Sequence, residues 1–584
     1  MMLRLHRLSS EPKLFEPIEF VTGINLILGE KWDDGQTQGR KVNGVGKSLS
    51  VEFLHFALLR EFTDTRVALI PRDKLPDDLA VILALTINGH SLEIRRSIAH
   101  PQEPVIVRNG QLIQFGNLGE ATRYLGDLMF SRVSFTGFNS FRSLMSLLMR
   151  DEASEFSTIL RTMPSDKIAP PDRMPHLFLM GLEVANYRIL LESIRELESQ
   201  SKVVTRLRAD LTERGQHRVA DIKAELNQSQ QEVQMIEAGL QALKAEPAFA
   251  QVEGDINELE TKLTSLRAHR KGISYQIDQI RAIPQMETID ETDLKIVYDR
   301  VKAGLGDLVT KSLEQAKAFK AEIESFQRSL REDELTRLEA EQRELTEKIR
   351  LLSDQHSALV AQIDRHGTLK ELSAGLSVAH HKQQDYYRRS ALYDQFNEAE
   401  QRKEDLKSER QMALDALRKQ LHDHKEVETS MNAAVVAIHE RVMGNRNASF
   451  AMHISSNVGV KYPLDFEMRI QDDGSHSVDR TMVFIYDTAL MFASCTQAQH
   501  PRFLLHDNIF DVDQDTLVQC LNFLHEKAEA GEDFQYILTL NREKVEEEER
   551  AKRLLLDVEA AKRAKFTKQA PFLGFRYQES RKNR

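Results

Sequence analysis

The chain has 584 residues, too many for one ordinary core at ~100 to 200 residues per domain, so three or more units are expected. Charged residues make up 29% and aromatics 7%, a mixture that suits long charged helices better than one large globule. The net charge of -11 argues against bulk binding of nucleic acid and leaves room only for a local basic patch, while two cysteines, Cys495 and Cys520, exclude a disulfide framework.

The first 150 or so residues alternate short β-rich runs with turn signals and a few helices. Leu3 to Leu8 and Ile18 to Leu28 read as strands, the second leading into "GEKWDDGQTQGRKVNGVGKSLS". The closing half of that stretch, Asn43-Gly44-Val45-Gly46-Lys47-Ser48, fits the end of a G-x-x-x-x-G-K-[ST] phosphate loop, yet Lys41 stands where the first glycine belongs. Gly29 ends the preceding strand, and residues 30 to 40 form an insert between it and that position. The insert leaves the working half intact, because the backbone N–H groups nearest a phosphate come from 44 to 49, with Leu49 already in the helix. A G-x-G-K-S also arises by chance, and the insert either covers a nucleotide or is a surface loop. After Ser48 the apolar residues of "LSVEFLHFALL" recur at helical spacing. Two β-rich pairs follow, joined by Asn88-Gly89 and Asn109-Gly110, the strongest short hairpin signal since both residues accept positive φ.

From about 185 to 440 the pattern becomes helical. Val252, Leu259, Leu266, Ile273 and Ile280 recur every seven residues, with Ile256, Leu263 and Ile277 at the complementary positions and Arg270 the one break. A second seam runs through Leu338, Leu345, Leu352 and Leu359, with Ile349 and Ile363, interrupted by Gln342 and His356. Pro284, Gly304 and Gly306 between the seams weaken a helix, so an antiparallel coiled-coil hairpin is expected. Each seam alone also fits an ordinary helical bundle. The expected divisions are 1–184, 185–283 for a rising arm, 284–310 for its tip, 311–444 for a returning arm, and 445–584.

After 445 the β-rich pattern returns. A helix is expected over 480–497, followed by an apolar run ending in Asp507, a further helix, and an apolar run ending at Leu540. This strand-helix-strand unit resembles the lower half of a nucleotide-binding sheet, so two half-heads separated by a coil would have to meet. Asp507 is then the second Mg²⁺ group beside the Ser48 hydroxyl, although an aspartate ending an apolar strand is also often a helix cap. Asn508 follows it, an amide that can orient water but cannot take its proton, and Asp511 and Asp513 are either substitutes for that base or turn residues. The tail from 561 is basic and reads as a DNA-binding or docking segment, or as a disordered solubilising one. The longest apolar runs, such as 79–87, fall short of the ~20 residues that span a bilayer, and the N-terminus has no apolar signal core. The reading is a cytoplasmic protein without a membrane partner.

On these residues the chain resembles the SMC-like ABC ATPases, the group of chromosome-condensing and break-repair ATPases, and within it bacterial members with an inserted phosphate loop, several associated with defence against phages and plasmids. The resemblance implies an α/β ABC-type head assembled from N- and C-terminal halves, with a long antiparallel coiled-coil hairpin inserted between them. It implies ATP and Mg²⁺, with metal held by Ser48 and Asp507, a homodimer through the heads, sequence-independent DNA binding, and separate effector and accessory subunits. A signature segment capping the γ-phosphate of the opposite protomer falls on Gly474, Ser475 and Ser477, and Asn541 stands in the place of the family's switch histidine. The Q-loop region near 138–152 has no Gln, with Arg150 or Asp151 as the loose match, and Arg96 resembles the family's basic residue on the N-terminal hairpin. Arg66, Arg72, Lys74 and Arg96 are basic candidates for DNA. The coil tip carries no cysteine, so it has no zinc-hook motif. Asn508 and Asn541 both remove groups that assist hydrolysis, a pattern that supports binding more than turnover. The alternatives are a structural or repair SMC-type protein without an effector, and a slow, nucleotide-locked scaffold.

Overall fold

The structure is a computed structural model of the chain and describes residues 1–30, 44–133, 137–162, 170–212, 218–244, 253–282, 313–363, 368–457, 459–471, 476–510, 514–546, 552–575 and 577. It divides into two compact units, the first holding the described residues within 1–192 and 411–584, the second those within 193–298 and 310–410.

In the first unit the strands run, in chain order, as β1 Leu3–Glu11, β2 Ile18–Glu19, β3 Gly23–Gly29, β4 Ala80–Ile87, β5 His90–Ser97, β6 Val105–Arg108, β7 Gln111–Gln114, β8 Met149–Arg150, β9 Ala448–Ile454, β10 Leu464–Ile470, β11 Phe503–Asp507, β12 Gln535–Asn541 and β13 Lys562–Phe566. Among the described residues they form an antiparallel six-stranded sheet ordered β2-β1-β4-β5-β6-β7, a β9-β10 pair, and a five-stranded sheet ordered β13-β3-β12-β11-β8. Every pairing in the last is parallel. Its strands come from both ends of the chain, since β3 and β8 lie before the helical region and β11, β12 and β13 after it.

That sheet is the core, and its composition shows why. A parallel sheet covered on both faces needs apolar side chains at every position rather than at alternate ones. All five residues of β11 are buried, as are Leu26, Ile27, Leu28 and residues 535–540. Helices Lys47–Ala57, His476–Phe492 and Gln514–Glu529 pack against it. The antiparallel sheet keeps the opposite pattern, with Val81, Leu83, Leu85 and Ile87 buried and their neighbours half-exposed. Both Asn-Gly pairs turn as their sequence predicts, at φ 51° and 89° for Asn88 and Gly89 and 51° and 80° for Asn109 and Gly110.

Three sequence readings need correction here. The run 18–28 is not one strand, because Gly23 at φ +80° turns the chain and Asn25 Oδ1 accepts from the Val21 N–H, so β2 and β3 enter different sheets. The helix expected over 480–497 is His476–Phe492, with a short 3-10 turn at Ser494–Thr496 after it. Helix Lys425–Met443, within the segment assigned to the returning arm, belongs to the first unit, where Val427, Met431, Val435 and Ile438 are buried and the helix packs on β9.

The second unit is helical. Helices Glu253–Ala282 and Leu313–Ile363 meet through Ile273, Ile277, Leu338 and Leu345, four of the expected seam positions. Ion pairs Glu260–His356 and Arg281–Glu339 set them antiparallel, since one partner rises in number as the other falls. A second apolar cluster joins Val204, Leu211, Ile222 and Leu226 to Phe396 and Ala399. The outer surface of the helices carries exposed pairs such as Lys262–Glu258, which water and salt screen. The tip expected at 284–310, with Pro284, Gly304 and Gly306, lies outside the described residues.

Candidate functional site

The carboxyl ends of the parallel strands converge because their register is nearly in step. Gly29 pairs with Asn541 and with Phe566, Asp507 pairs with Thr539, and Arg150 pairs with His506. In open α/β sheets that edge is where loops and helix N-termini gather around ligands. Here it receives the loop before helix Lys47–Ala57. Gly44 and Gly46 sit at φ +85° and +103°, values that only glycine adopts without strain, and Gly46 caps the helix from the left-handed region. The first N–H groups of the helix therefore point outward without intrahelical acceptors.

Lys47 is 9% exposed, and its ammonium donates to Asn541 Oδ1 at the end of β12. Burial pulls its pKa down to about 8, with the nearby Asp507 carboxylate working against that shift. Asp507, 2% exposed, is pushed up to about 6 by burial, although its Oδ1 accepts from Thr539 Oγ1 and, at 3.2 Å, from Ser48 Oγ. Lys47 thus lacks a full counter-anion and Asp507 a full counter-cation. A polyphosphate at the loop and a divalent cation between Ser48 and Asp507 would relieve both. The residues present fit ATP·Mg²⁺, the group the sequence resemblance implies. No cluster of three His, Cys, Asp or Glu that could hold a metal ion exists among the described residues.

A cavity of about 470 Å³ opens on this edge, lined by residues 44 to 49 together with Arg66, Glu152 and Asn508. Asn508 holds φ +58°, its N–H donates to Thr539 Oγ1 at 3.0 Å, and its carbonyl accepts from Arg480 on helix His476–Phe492. Its side-chain Nδ2 donates to Glu152 Oε1 at 3.2 Å. The structure therefore places a carboxylate beside the amide that follows Asp507. Glu152 escaped the sequence reading because the strand before it, β8, is two residues long and carries no apolar run of its own. The signal that would have found it is an acid two residues past a strand end that pairs with β11.

The loose Q-loop matches belong elsewhere. Arg150 is fully buried and grips Asp487 with two hydrogen bonds, 2.6 Å from Nε and 2.9 Å from Nη2, while Asp487 also pairs with His506 at 3.0 Å. This network ties β8 and β11 to helix His476–Phe492 and leaves Arg150 no reach into the cavity. Asp151 turns the other way, to Arg60 at 2.7 Å. Arg96 is also corrected as a DNA candidate. It is 0% exposed, lies over the Phe56 ring at 4.1 Å, and donates to the Phe56 and Arg60 carbonyls, so it closes the C-terminal end of helix Lys47–Ala57. Arg72 donates to the Ile98 carbonyl at 2.8 Å, Lys74 pairs with Asp73, and Arg66 lines the cavity. Asn43, Gly474, Ser475, Asp511 and Asp513 lie outside the described residues, and Ser477 falls in the first turn of helix His476–Phe492.

The basic tail is also different from its reading over 562–577. Its lysine- and arginine-rich start forms β13 on the open edge of β3, and Phe572 packs into a cluster with Phe15, Phe53 and Phe566.

Residues 438–577 match a family model described as an uncharacterised protein conserved in bacteria (DUF2326). A comparison with curated proteins gives no match. Among solved structures, the chain is similar to the Smc head domain with a coiled coil and joint from Pyrococcus yayanosii, at 15% identity and a TM-score of 0.34, over 95% of this chain and 94% of that one. It is likewise similar to the Smc head domain with an extended coiled coil, bound to the C-terminal domain of ScpA, from Pyrococcus furiosus, at 11% identity and a TM-score of 0.34, over 95% and 92%. No described helix is long and apolar enough to cross a membrane.

Proposed function

We propose that the protein binds ATP·Mg²⁺ at the edge of its parallel sheet and hydrolyses it. One observation carries the reading: a glycine-shaped loop, a buried lysine and a Ser48–Asp507 pair, drawn from sequence positions 459 apart, meet where helix Lys47–Ala57 begins. Lys47 holds the β and γ phosphate charge, and the N–H groups from Gly44 to Leu49 bind phosphate oxygens. Ser48 and Asp507 would hold Mg²⁺, which would supply neutralisation of the phosphate charge. Glu152 accepts the proton of the attacking water, and Asn508 orients both that carboxylate and the water. Asn541 keeps Lys47 extended toward the loop. Asp511 and Asp513 remain secondary candidates for the base.

The finer parts of the reading rest on the sequence resemblance. We propose a head assembled from residues 1–184 and 445–584 together with helix Lys425–Met443, an antiparallel hairpin between, and an ATP-bridged homodimer in which the segment at Ser475 caps nucleotide on the opposite protomer. DNA would be the sensed ligand, in a cytoplasmic bacterial anti-phage or anti-plasmid complex whose effector is a separate chain. The calorimetric test is direct. Lys47→Ala should weaken ATP·Mg²⁺ by about a hundredfold or more, since a charge-assisted contact in a partly desolvated site is lost. Equal affinity in the two proteins would mean the site is elsewhere.

A further inference from the structure

The cavity that holds Lys47 and Ser48 has a second kind of wall. Pro571, Phe572, Leu573, Phe575 and Tyr577, from the end of the chain, line the same space as the phosphate loop. Their placement is built in. β13 runs parallel to β3 in register with Gly29, so it leaves the sheet at the edge where the loop lies. The Phe572 N–H then donates to the Val45 carbonyl, between the two loop glycines, at 3.1 Å. A Cβ on Gly46 would lie 2.5 Å from Phe572 Cβ, so the loop and the segment are fitted to each other at a glycine. Phe572 is anchored by Phe15 and Phe53, at ring distances of 4.5 and 5.2 Å.

Phe575 and Tyr577 are placed otherwise. Both are half-exposed, their rings are 6.3 Å apart at 61° to one another, and they border the cavity instead of entering the Phe572 cluster. Partly exposed aromatic faces beside a phosphate-type loop match the two-ended chemistry of a nucleotide, which has a charged tail and a flat apolar base. Stacking on aromatic rings is tolerant of base identity because every base has a π-face.

We propose that the C-terminal segment forms the base-binding wall of the nucleotide site, with Phe575 and Tyr577 stacking the purine and Phe572 fixing the segment against the loop. The proposal rests on the nucleotide reading above and adds how the base is held. It also gives the basic tail a role other than docking or solubility.

The test compares two probes, Mg²⁺·ATP and Mg²⁺·tripolyphosphate, the second carrying the phosphates without a base. Calorimetry on the full-length protein and on Phe575→Ala, Tyr577→Ala and the double variant reads both affinities. The double variant should lose about tenfold or more for ATP, in line with stacking losses on alanine substitution, and less than about twofold for tripolyphosphate. Phe575→Trp should keep ATP affinity, and its added emission should be quenched by ATP and not by tripolyphosphate. Three results overturn the proposal: unchanged ATP affinity in the double variant, equal losses for both probes, or tighter binding of both, which would make the segment a cover. Wild-type protein that binds tripolyphosphate and ATP equally also overturns it while leaving the phosphate loop standing, whereas wild type that binds neither removes the nucleotide reading as well.

Discussion

Glu152→Gln is the substitution that most sharply tests the chemistry. The carboxylate is exposed and accepts from Asn508 Nδ2 at 3.2 Å. Glutamine has the same length and keeps an acceptor oxygen, so the contact and the fold survive. What disappears is the capacity to take a proton. A positioned general base is worth roughly 10² to 10⁴ in rate, or about 3 to 5 kcal/mol at ~1.4 kcal/mol per decade. Binding should move the other way or stay still. Glu152 is one of the negative charges that, behind burial, raise the Asp507 pKa, so removing it favours the Asp507 carboxylate that holds the metal. The expected result is ATP·Mg²⁺ affinity equal to or slightly above wild type, with phosphate release slower by about a hundredfold or more. Because acid and amide touch, the exchange variant Glu152→Gln/Asn508→Glu should recover part of the rate, the carboxylate now standing on the other side of the same hydrogen bond. A Glu152→Gln rate within about threefold of wild type, measured by steady-state phosphate release with affinity checked by calorimetry, would refute Glu152 as the base and return attention to Asp511 and Asp513.

Asp507 sets a pH dependence whose sign follows from its raised pKa. The folded protein holds its proton up to about pH 6 where an unfolded chain releases it near 3.8, so this group contributes stability at low pH that is lost as pH rises through that window, and metal binding must displace the proton. Mg²⁺-dependent ATP affinity should therefore fall by up to about tenfold per unit below pH 6, with metal-free ATP as the control, and a Mg²⁺ contribution that is flat from pH 5 to 7.5 would contradict the assignment. For the proposed head dimer, sedimentation should show ATP doubling the mass and Ser475→Arg preventing it, and duplex DNA added to the same samples should co-sediment and raise the hydrolysis rate. An identical mass in every condition would exclude ATP-driven dimerisation, and a rate indifferent to linear and circular duplexes would exclude DNA as the trigger.

Local chemistry made several features legible in the sequence. The glycine turn before helix Lys47–Ala57 could be read because Gly44 and Gly46 take positive φ and stand within five residues of Lys47 and Ser48. The hairpins at Asn88-Gly89 and Asn109-Gly110 could be read for the same reason, since a two-residue turn is specified by the two residues in it. The helical arms showed themselves through a seven-residue period that depends on one helix at a time, although the partner of each seam did not. What required the tertiary structure is everything decided by strand order. Glu152 reaches the cavity because β8 pairs with β11 across more than 350 residues, and no local pattern encodes that neighbour. Arg150 reads in the sequence as a loose Q-loop match and Arg96 as a basic candidate for DNA, and both are buried in the fold, one bound by Asp487 and one by the carbonyls ending a helix, partners that come from other elements. The tail reads as solvated because its lysines and arginines dominate its composition, yet β3 offers an unpaired edge that only the assembled sheet presents. Pairing there satisfies backbone groups that water would otherwise hold, and it delivers Phe572 to Gly46, whose missing Cβ leaves room for it.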